Sequence, residues 1–205
     1  MNKLIWFAFG GAGLVLIAAG AGLLFLKTTA NGFSARAEPS SFETFAARTA
    51  RGLAIPANAK TRTNPVSNTQ DVLAAARAHW ADHCAGCHAN DGSGQLEMGK
   101  RMYPPAPDMR KEPTQKMSDG ELFFIIENGI RFSGMPAWGG SEAGEQDSWK
   151  LVHFIRHLPA MSASEITEME KLNPKSPGEQ EEEMQEEQFL KGQPVNEAPM
   201  QHQQH

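Results

Sequence analysis

Hydrophobic and polar positions divide the chain into zones of different character. From Leu4 to Leu26 runs LIWFAFGGAGLVLIAAGAGLLFL, uncharged throughout and flanked by Lys3 and Lys27. This run of 23 residues is long enough to cross a bilayer as one helix. A secretory signal is the rival reading. Its apolar region normally spans about 7–15 residues, with a small-residue cleavage site close behind. The available site, Ala35-Arg36-Ala37, lies well past the run. An uncleaved anchor over residues 1–27 fits better, and either reading exports the remainder of the chain.

Residues 28–68 are polar and punctuated by Pro and Asn. Ser40 to Glu43 has the capping-box pattern, so SFETFAARTARGL is predicted as a short helix. IPANAKTRTNPVSNT then reads as extended tether, because a proline disfavours helix at the residue before it. Helical spacing returns at Val72, Leu73, Ala76 and Trp80 within DVLAAARAHWADHC. A loop rich in Gly and Pro runs from His88 to Met117, with no strand pattern. A second capping box, Ser118 to Glu121, opens the apolar helix ELFFIIENGI. RFSGMPAWGGSEAGE is loop again. QDSWKLVHFIRHLP is a third helix, with Trp149, Val152, Ile155 and Leu158 on one stripe and Pro159 as its stop. Residues 69–160 are therefore expected to be one all-α domain of short helices and long loops. So small a domain buries a modest fraction of its surface and needs a staple, and a large apolar group is expected at its centre.

Residues 161–205 read as a tail: one short helix in SASEITEMEKLNP, then a Glu- and Gln-rich remainder expected to be disordered or a solvated helix. Charge sharpens that division. From Ser164 onward there are ten Glu against three Lys, a net of −7, while the chain of 205 residues carries −5. The acidity belongs to the tail, and nothing forms the basic patch that nucleic-acid binding requires. The tail ends in MQHQQH, where Met200, His202 and His205 offer a metal site. The alternatives are steering of a basic partner by the acidic run and a plain solvated tail.

Candidate chemistry concentrates in HWADHCAGCHANDGSG. It holds the only two cysteines, Cys84 and Cys87, with His88 directly after the second. A structural zinc site takes four Cys or His ligands, and no second pair stands at a suitable spacing. A thioredoxin-like pair requires strand–helix–strand surroundings that are missing here. A disulfide between Cys84 and Cys87 closes too small a loop to stabilise much and leaves His88 unexplained. Covalent haem attachment accounts for all three. Each thiol adds across one porphyrin vinyl group, and His88 then lies beneath the ring; Cys-x-x-Cys-His is the c-type signature. Export of the domain agrees with attachment outside the cytoplasm, and the haem itself supplies the missing apolar centre.

With these motifs in view, the chain resembles the class I c-type cytochromes, in particular bacterial single-haem forms tethered by an N-terminal membrane helix. The resemblance covers roughly residues 70 to 160. It rests on CAGCH (Cys84 to His88), PPAPDM (Pro104 to Met109), NGIRFSGMPAW (Asn128 to Trp138) and the helix WKLVHFIRHLP. It implies one haem c on Cys84 and Cys87, with His88 as one axial ligand. Among ten methionines, Met135 follows Gly134, precedes Pro136 and lies 47 residues after His88. The resemblance puts the distal ligand at such a Gly/Pro-flanked position. If Met135 is only a core filler, the iron is five-coordinate or takes a second histidine. Met98, Met102, Met109 and Met117 are expected on the proximal side. A proline carbonyl, with Pro105 favoured over Pro104 and Pro107, is implied as acceptor for the His88 Nδ1–H. Arg131 and Trp138 are implied as haem-propionate partners, with a surface Arg and a core Trp as the alternative. His79, His83, His153 and His157 are expected off the iron.

Such a site exchanges single electrons with redox proteins in or at the inner membrane, the haem domain lying on the periplasmic side. The alternatives are a fixed haem subunit of a larger membrane oxidoreductase, and a catalytic or gas-sensing haem protein if Met135 is not on the iron.

Overall fold

The computed structural model describes residues 3–29, 34–175 and 177–191, and among these the backbone is helical with no strand. Helix α1, Lys3–Thr29, coincides with the uncharged run. Its window Phe9–Thr28 has a mean hydropathy of 2.1, and none of it is buried. Twenty-seven residues at a rise of about 1.5 Å give a rod of about 40 Å, longer than the hydrocarbon core of a bilayer. The helix is compatible with a single-pass anchor.

Helix α2, Ser41–Ala54, starts at the predicted capping box: Glu43 N–H donates to Ser40 Oγ, and Ser40 N–H donates to Glu43 Oε2. The segment after it departs from expectation. Residues 55–66, expected to be an extended tether, contain α3, Ala57–Lys60, and are sewn onto the domain. Ile55 and Ala59 are buried. Ser118 Oγ donates to Lys60 O at 2.8 Å, and Asn64 Nδ2 donates to Trp149 O at 2.9 Å. His153 Nε2 meets Val66 O at 2.7 Å. The Arg62 guanidinium lies 4.5 Å from the Phe123 ring centroid and 2.7 Å from Glu145. Helix is confined to the single turn after Pro56, and the remaining backbone carbonyls still need donors. They find them on other elements, which the local pattern does not reveal.

Three helices build the core: α4 (Gln70–His79), α8 (Asp119–Asn128) and α9 (Glu142–His157), introduced along the chain by the short turns α5 (Ala85–His88), α6 (Glu97–Lys100) and α7 (Glu112–Gln115). The stripe Trp149, Val152, Ile155 and Leu158 is buried throughout, and Phe154 joins it. Trp149 stacks on Phe123 of α8 with centroids 4.0 Å apart, and Phe154 meets Trp80 at 5.3 Å. Helix α9 begins at Glu142, earlier than the expected Gln146, because Ser141 Oγ accepts from Gly144 N–H and caps it there. Near its other end, Arg156 fastens α9 to the start of α8 through Asp119 Oδ1 and the carbonyls of Gln115 and Met117.

Residues 163–170 are part of the domain rather than of a tail. Helix α10, Ala163–Glu170, carries Met169 with no exposed surface, and its Glu165 bonds Arg77 at 2.7 Å and His157 at 2.8 Å. One methionine at the correct point of a charged helix suffices to dock it, and composition averaged over the tail conceals that. Helix α11, Pro177–Leu190, is an acidic helix of largely exposed character where its side chains are described. The candidate metal site at Met200, His202 and His205 lies outside the described residues.

Candidate functional site

Helix α4 does not stop at His79. It widens into a π-helical turn, Trp80–Cys84, in which Ala85 N–H donates to Trp80 O five residues back. Such turns are rare and recur at functional sites. The α-helical turn α5 then resumes, so Cys84 and His88, four residues apart, fall on one face. Trp80 braces this turn: its indole N–H donates to Ala89 O at 3.0 Å, and its ring lies 5.8 Å from that of His88. Ala89, with φ of 63°, ends the helix, and Gly94 N–H donates back to His88 O at 2.8 Å.

The long Gly- and Pro-rich loop wraps the same motif. A side chain at Gly99 would collide with the carbonyl of Cys87, so the backbone of α6 abuts the second cysteine directly. Ala106 N–H donates to Gly99 O and Met109 N–H to Gly92 O, drawing residues 104–109 back over the motif. Arg110 ties the outer edge to Asp91 and Asp108, and its hydrogen bond pulls the Asp108 carboxyl down to about 2.

His88 is 8% exposed, and its buried Nδ1 has no hydrogen-bond partner. Burial holds the imidazole below its usual pKa and so favours its neutral, metal-binding form. Pro105 is half-buried, and no carbonyl among Pro104, Pro105 and Pro107 accepts from His88 Nδ1 here. Cys84 and Cys87 are half-buried free thiols, not joined as a disulfide. Burial, with a smaller contribution from Cys87, pushes the Cys84 thiol up to about 12, so it stands as S–H. Among the described residues no three Cys, His, Asp or Glu side chains gather as a metal cage.

The loop carrying Met135 is a closed turn stitched to α8. Ile130 N–H donates to Met135 O at 3.1 Å, and Ser133 Oγ donates to Ile130 O while accepting from Met135 N–H. Trp138 N–H and Gly139 N–H bond the carbonyls of Ile126 and Glu127. Gly129 makes the entry, with φ of 66° and its would-be Cβ only 2.7 Å from Met135 O. Met135 is half-buried, whereas Arg131 is exposed, and Phe132 beside it is 93% exposed with φ of 61°. Trp138 is partly exposed rather than a core residue; its ring stands edge-on to His83 at 5.5 Å. His83 in turn stacks on His79 at 4.7 Å.

His83 immediately precedes Cys84, so the Trp138 contact sets the Met135 loop beside the cysteine motif although the two are far apart in sequence. A third segment joins them. Met102 Sδ lies 2.5 Å from where a Cβ on Gly134 would stand, which puts Met102 against the Met135 loop. Neither Met102 nor His83 was expected here from the sequence. The one usable signal was Gly134, whose absent side chain makes the space that Met102 fills.

Two unjoined thiols, a neutral buried imidazole with an unpartnered nitrogen, and a half-buried thioether on a loop held beside them fit a covalently held porphyrin and its iron. Residues 71–155 match the family model described as cytochrome c oxidase, cbb3-type, subunit III. This segment is a class I c-type cytochrome domain. It carries covalently bound haem c and has a haem-based electron-transfer function. The match runs from the first turn of α4 into α9 and so spans the motif, the wrapping loop and the Met135 turn. No curated protein matches the chain.

Proposed function

We propose that this cytochrome is a one-electron carrier tethered by α1 to the inner membrane with its haem domain on the periplasmic side, and that His88 and Met135 are its axial ligands. The observation that carries the reading is the Trp138–His83 contact, which holds the only Gly/Pro-flanked methionine of the chain next to Cys84-x-x-Cys87-His88. The haem iron supplies the redox change, and a thioether ligand favours its ferrous state relative to a second imidazole.

The chain's own residues do the rest. Cys84 and Cys87 fix the ring covalently, and Trp80 and the Gly94–His88 bond hold the backbone that carries His88. The Gly129 turn delivers the thioether. Arg131 and Trp138 flank it as partners for the propionates, and the Pro105 carbonyl is the acceptor favoured for His88 Nδ1–H once the ring is seated. Two tightly held ligands leave no open position for a substrate, and the tether keeps the carrier concentrated near membrane redox partners.

A second reading, a fixed haem subunit of a membrane oxidoreductase, is favoured by the name of the matching family, an oxidase subunit. The small residues of GGAGLVLIAAGAG in α1 also permit close packing against other membrane helices.

Optical spectra of the full-length holoprotein test the ligation. A weak oxidised thioether–iron band, lost in Met135→Ala, and no response to carbon monoxide in the native protein are expected. Ready carbon monoxide binding by the native protein would refute six-coordination and leave a catalytic or sensing haem. Recovery from mild detergent without stoichiometric companions supports the carrier; fixed companions support the subunit.

A further inference from the structure

Helix α2 is attached to the domain with its polar side inward. Phe42, Phe45, Ala46 and Leu53 recur at helical spacing on one stripe, and the three large side chains are 77%, 68% and 81% exposed. The opposite side makes the contacts. Thr44 and Arg51 are half-buried there, Tyr103 OH donates to Glu43 Oε1 at 3.0 Å, and in the last turn Lys60 Nζ donates to Gly52 O at 2.6 Å. Just past the helix, Ile55 is buried and sets its exit. A surface helix ordinarily turns its apolar stripe toward the core. This one turns it away, leaving two aromatic rings and a leucine in a row with nothing from the domain over them.

The position of the helix in the chain points to what covers that stripe. Helix α1 ends at Thr29 and α2 begins at Ser41, so the intervening chain reaches at most about 40 Å when fully extended. The stripe therefore never leaves the neighbourhood of a bilayer spanned by α1. Arg48 lies on the flank of the stripe and is exposed, where a long cationic side chain reaches phosphate headgroups while its stem stays against apolar surface.

We propose that α2 is an interfacial helix lying in the bilayer surface, with Phe42, Phe45 and Leu53 inserted among the upper acyl chains of phospholipids, so that the haem domain is held in one orientation to the membrane rather than swinging on a tether. The inference rests on α1 being the anchor. It also links the membrane to the haem face: Tyr103, which holds α2, is the neighbour of Met102, which packs at Gly134 beside Met135.

The test uses full-length holoprotein reconstituted into phosphatidylcholine–phosphatidylglycerol vesicles that include a phospholipid with a photoactivatable diazirine in its acyl chain. After irradiation, adducts are located by peptide mass spectrometry. The expected result is lipid adducts on α1 and also on Phe42, Phe45 and Leu53, with several-fold fewer on Ala47 and Arg48. The Phe42→Glu/Phe45→Glu variant keeps its haem spectrum, since both side chains are largely exposed, keeps the α1 adducts, and loses those on α2 several-fold. Adducts confined to α1 overturn the proposal while the anchor stands, whether α2 is then bare or covered by another protein or a second copy. Absence of adducts from both helices overturns the anchor reading and this inference with it.

Discussion

Replacing Gly129 by alanine tests how the Met135 loop is held, because two separable effects meet at that residue. Its φ of 66° and ψ of −168° lie where glycine alone is at ease, and an alanine there costs about 1–3 kcal/mol in backbone strain. The new Cβ would also lie 2.6 Å from Pro136 C, 2.7 Å from Ala137 N and 2.7 Å from Met135 O. All three are backbone atoms, which cannot rotate aside as a side chain would, so the loop has to shift; overpacking of this kind adds about 1–3 kcal/mol. The total, about 2–6 kcal/mol, is a large part of the 5–15 kcal/mol that ordinarily holds a domain together. Gly140→Ala is the control. Its φ of 128° carries the strain, but no atom lies within 4 Å of the would-be Cβ. Guanidinium unfolding of the detergent-solubilised holoprotein, followed at the haem, reads both variants. Gly129→Ala is expected to lose clearly more stability than Gly140→Ala. With Met135 as the proposed ligand, it alone should weaken the oxidised thioether–iron band, because the shift breaks the Ile130–Met135 hydrogen bond. Equal losses, or an unchanged band in Gly129→Ala, would refute the claim that this close approach positions the thioether.

Met169→Ala is expected to destabilise the haem domain by about 2–5 kcal/mol, since the side chain is wholly buried; a loss under about 0.5 kcal/mol in the same unfolding assay would return α10 to the status of a tail. Two carboxylates set the acid limb. Asp108 is drawn to about 2 by its hydrogen bond from Arg110, and Glu165 to about 2 by the Ser162 backbone N–H and then by His157. A carboxyl depressed by folding contributes its stability above its unfolded pKa, near 4, and loses it as pH falls toward about 2. Each contributes on the order of 1 kcal/mol or less, because Arg110 and His157 are partly solvated. Asp108→Asn and Glu165→Gln should each flatten the fall in thermal midpoint between pH of about 4 and about 2. An unchanged slope in either would show that its pairing contributes nothing to folding.

Much of the architecture was legible because its causes are local. The uncharged run sufficed for α1. Ser40 with Glu43, and Ser118 with Glu121, announced α2 and α8 through a pair of reciprocal hydrogen bonds contained within four residues. Trp149, Val152, Ile155 and Leu158 showed their buried stripe through periodicity alone, and CAGCH declared its chemistry by spacing. Sequence therefore determined the long helices and which side of α9 faces inward, while the short turns α3, α6 and α7 fell in stretches expected to be tether or loop.

Tertiary structure decided what long-range pairing controls. The carbonyls of Lys60 and Val66 meet Ser118 Oγ at the N-cap of α8 and His153 Nε2 on α9, and Met169 docks α10, although neither partnership leaves a mark on the local pattern. Among ten methionines, only the folded chain brings Met102 to Gly134, and only it sets Trp138 against His83. The amphipathic stripe of α2 was present in the sequence, but its outward direction was not. Periodicity fixes that a helix has an apolar side; which way that side turns depends on every polar contact made by the side opposite.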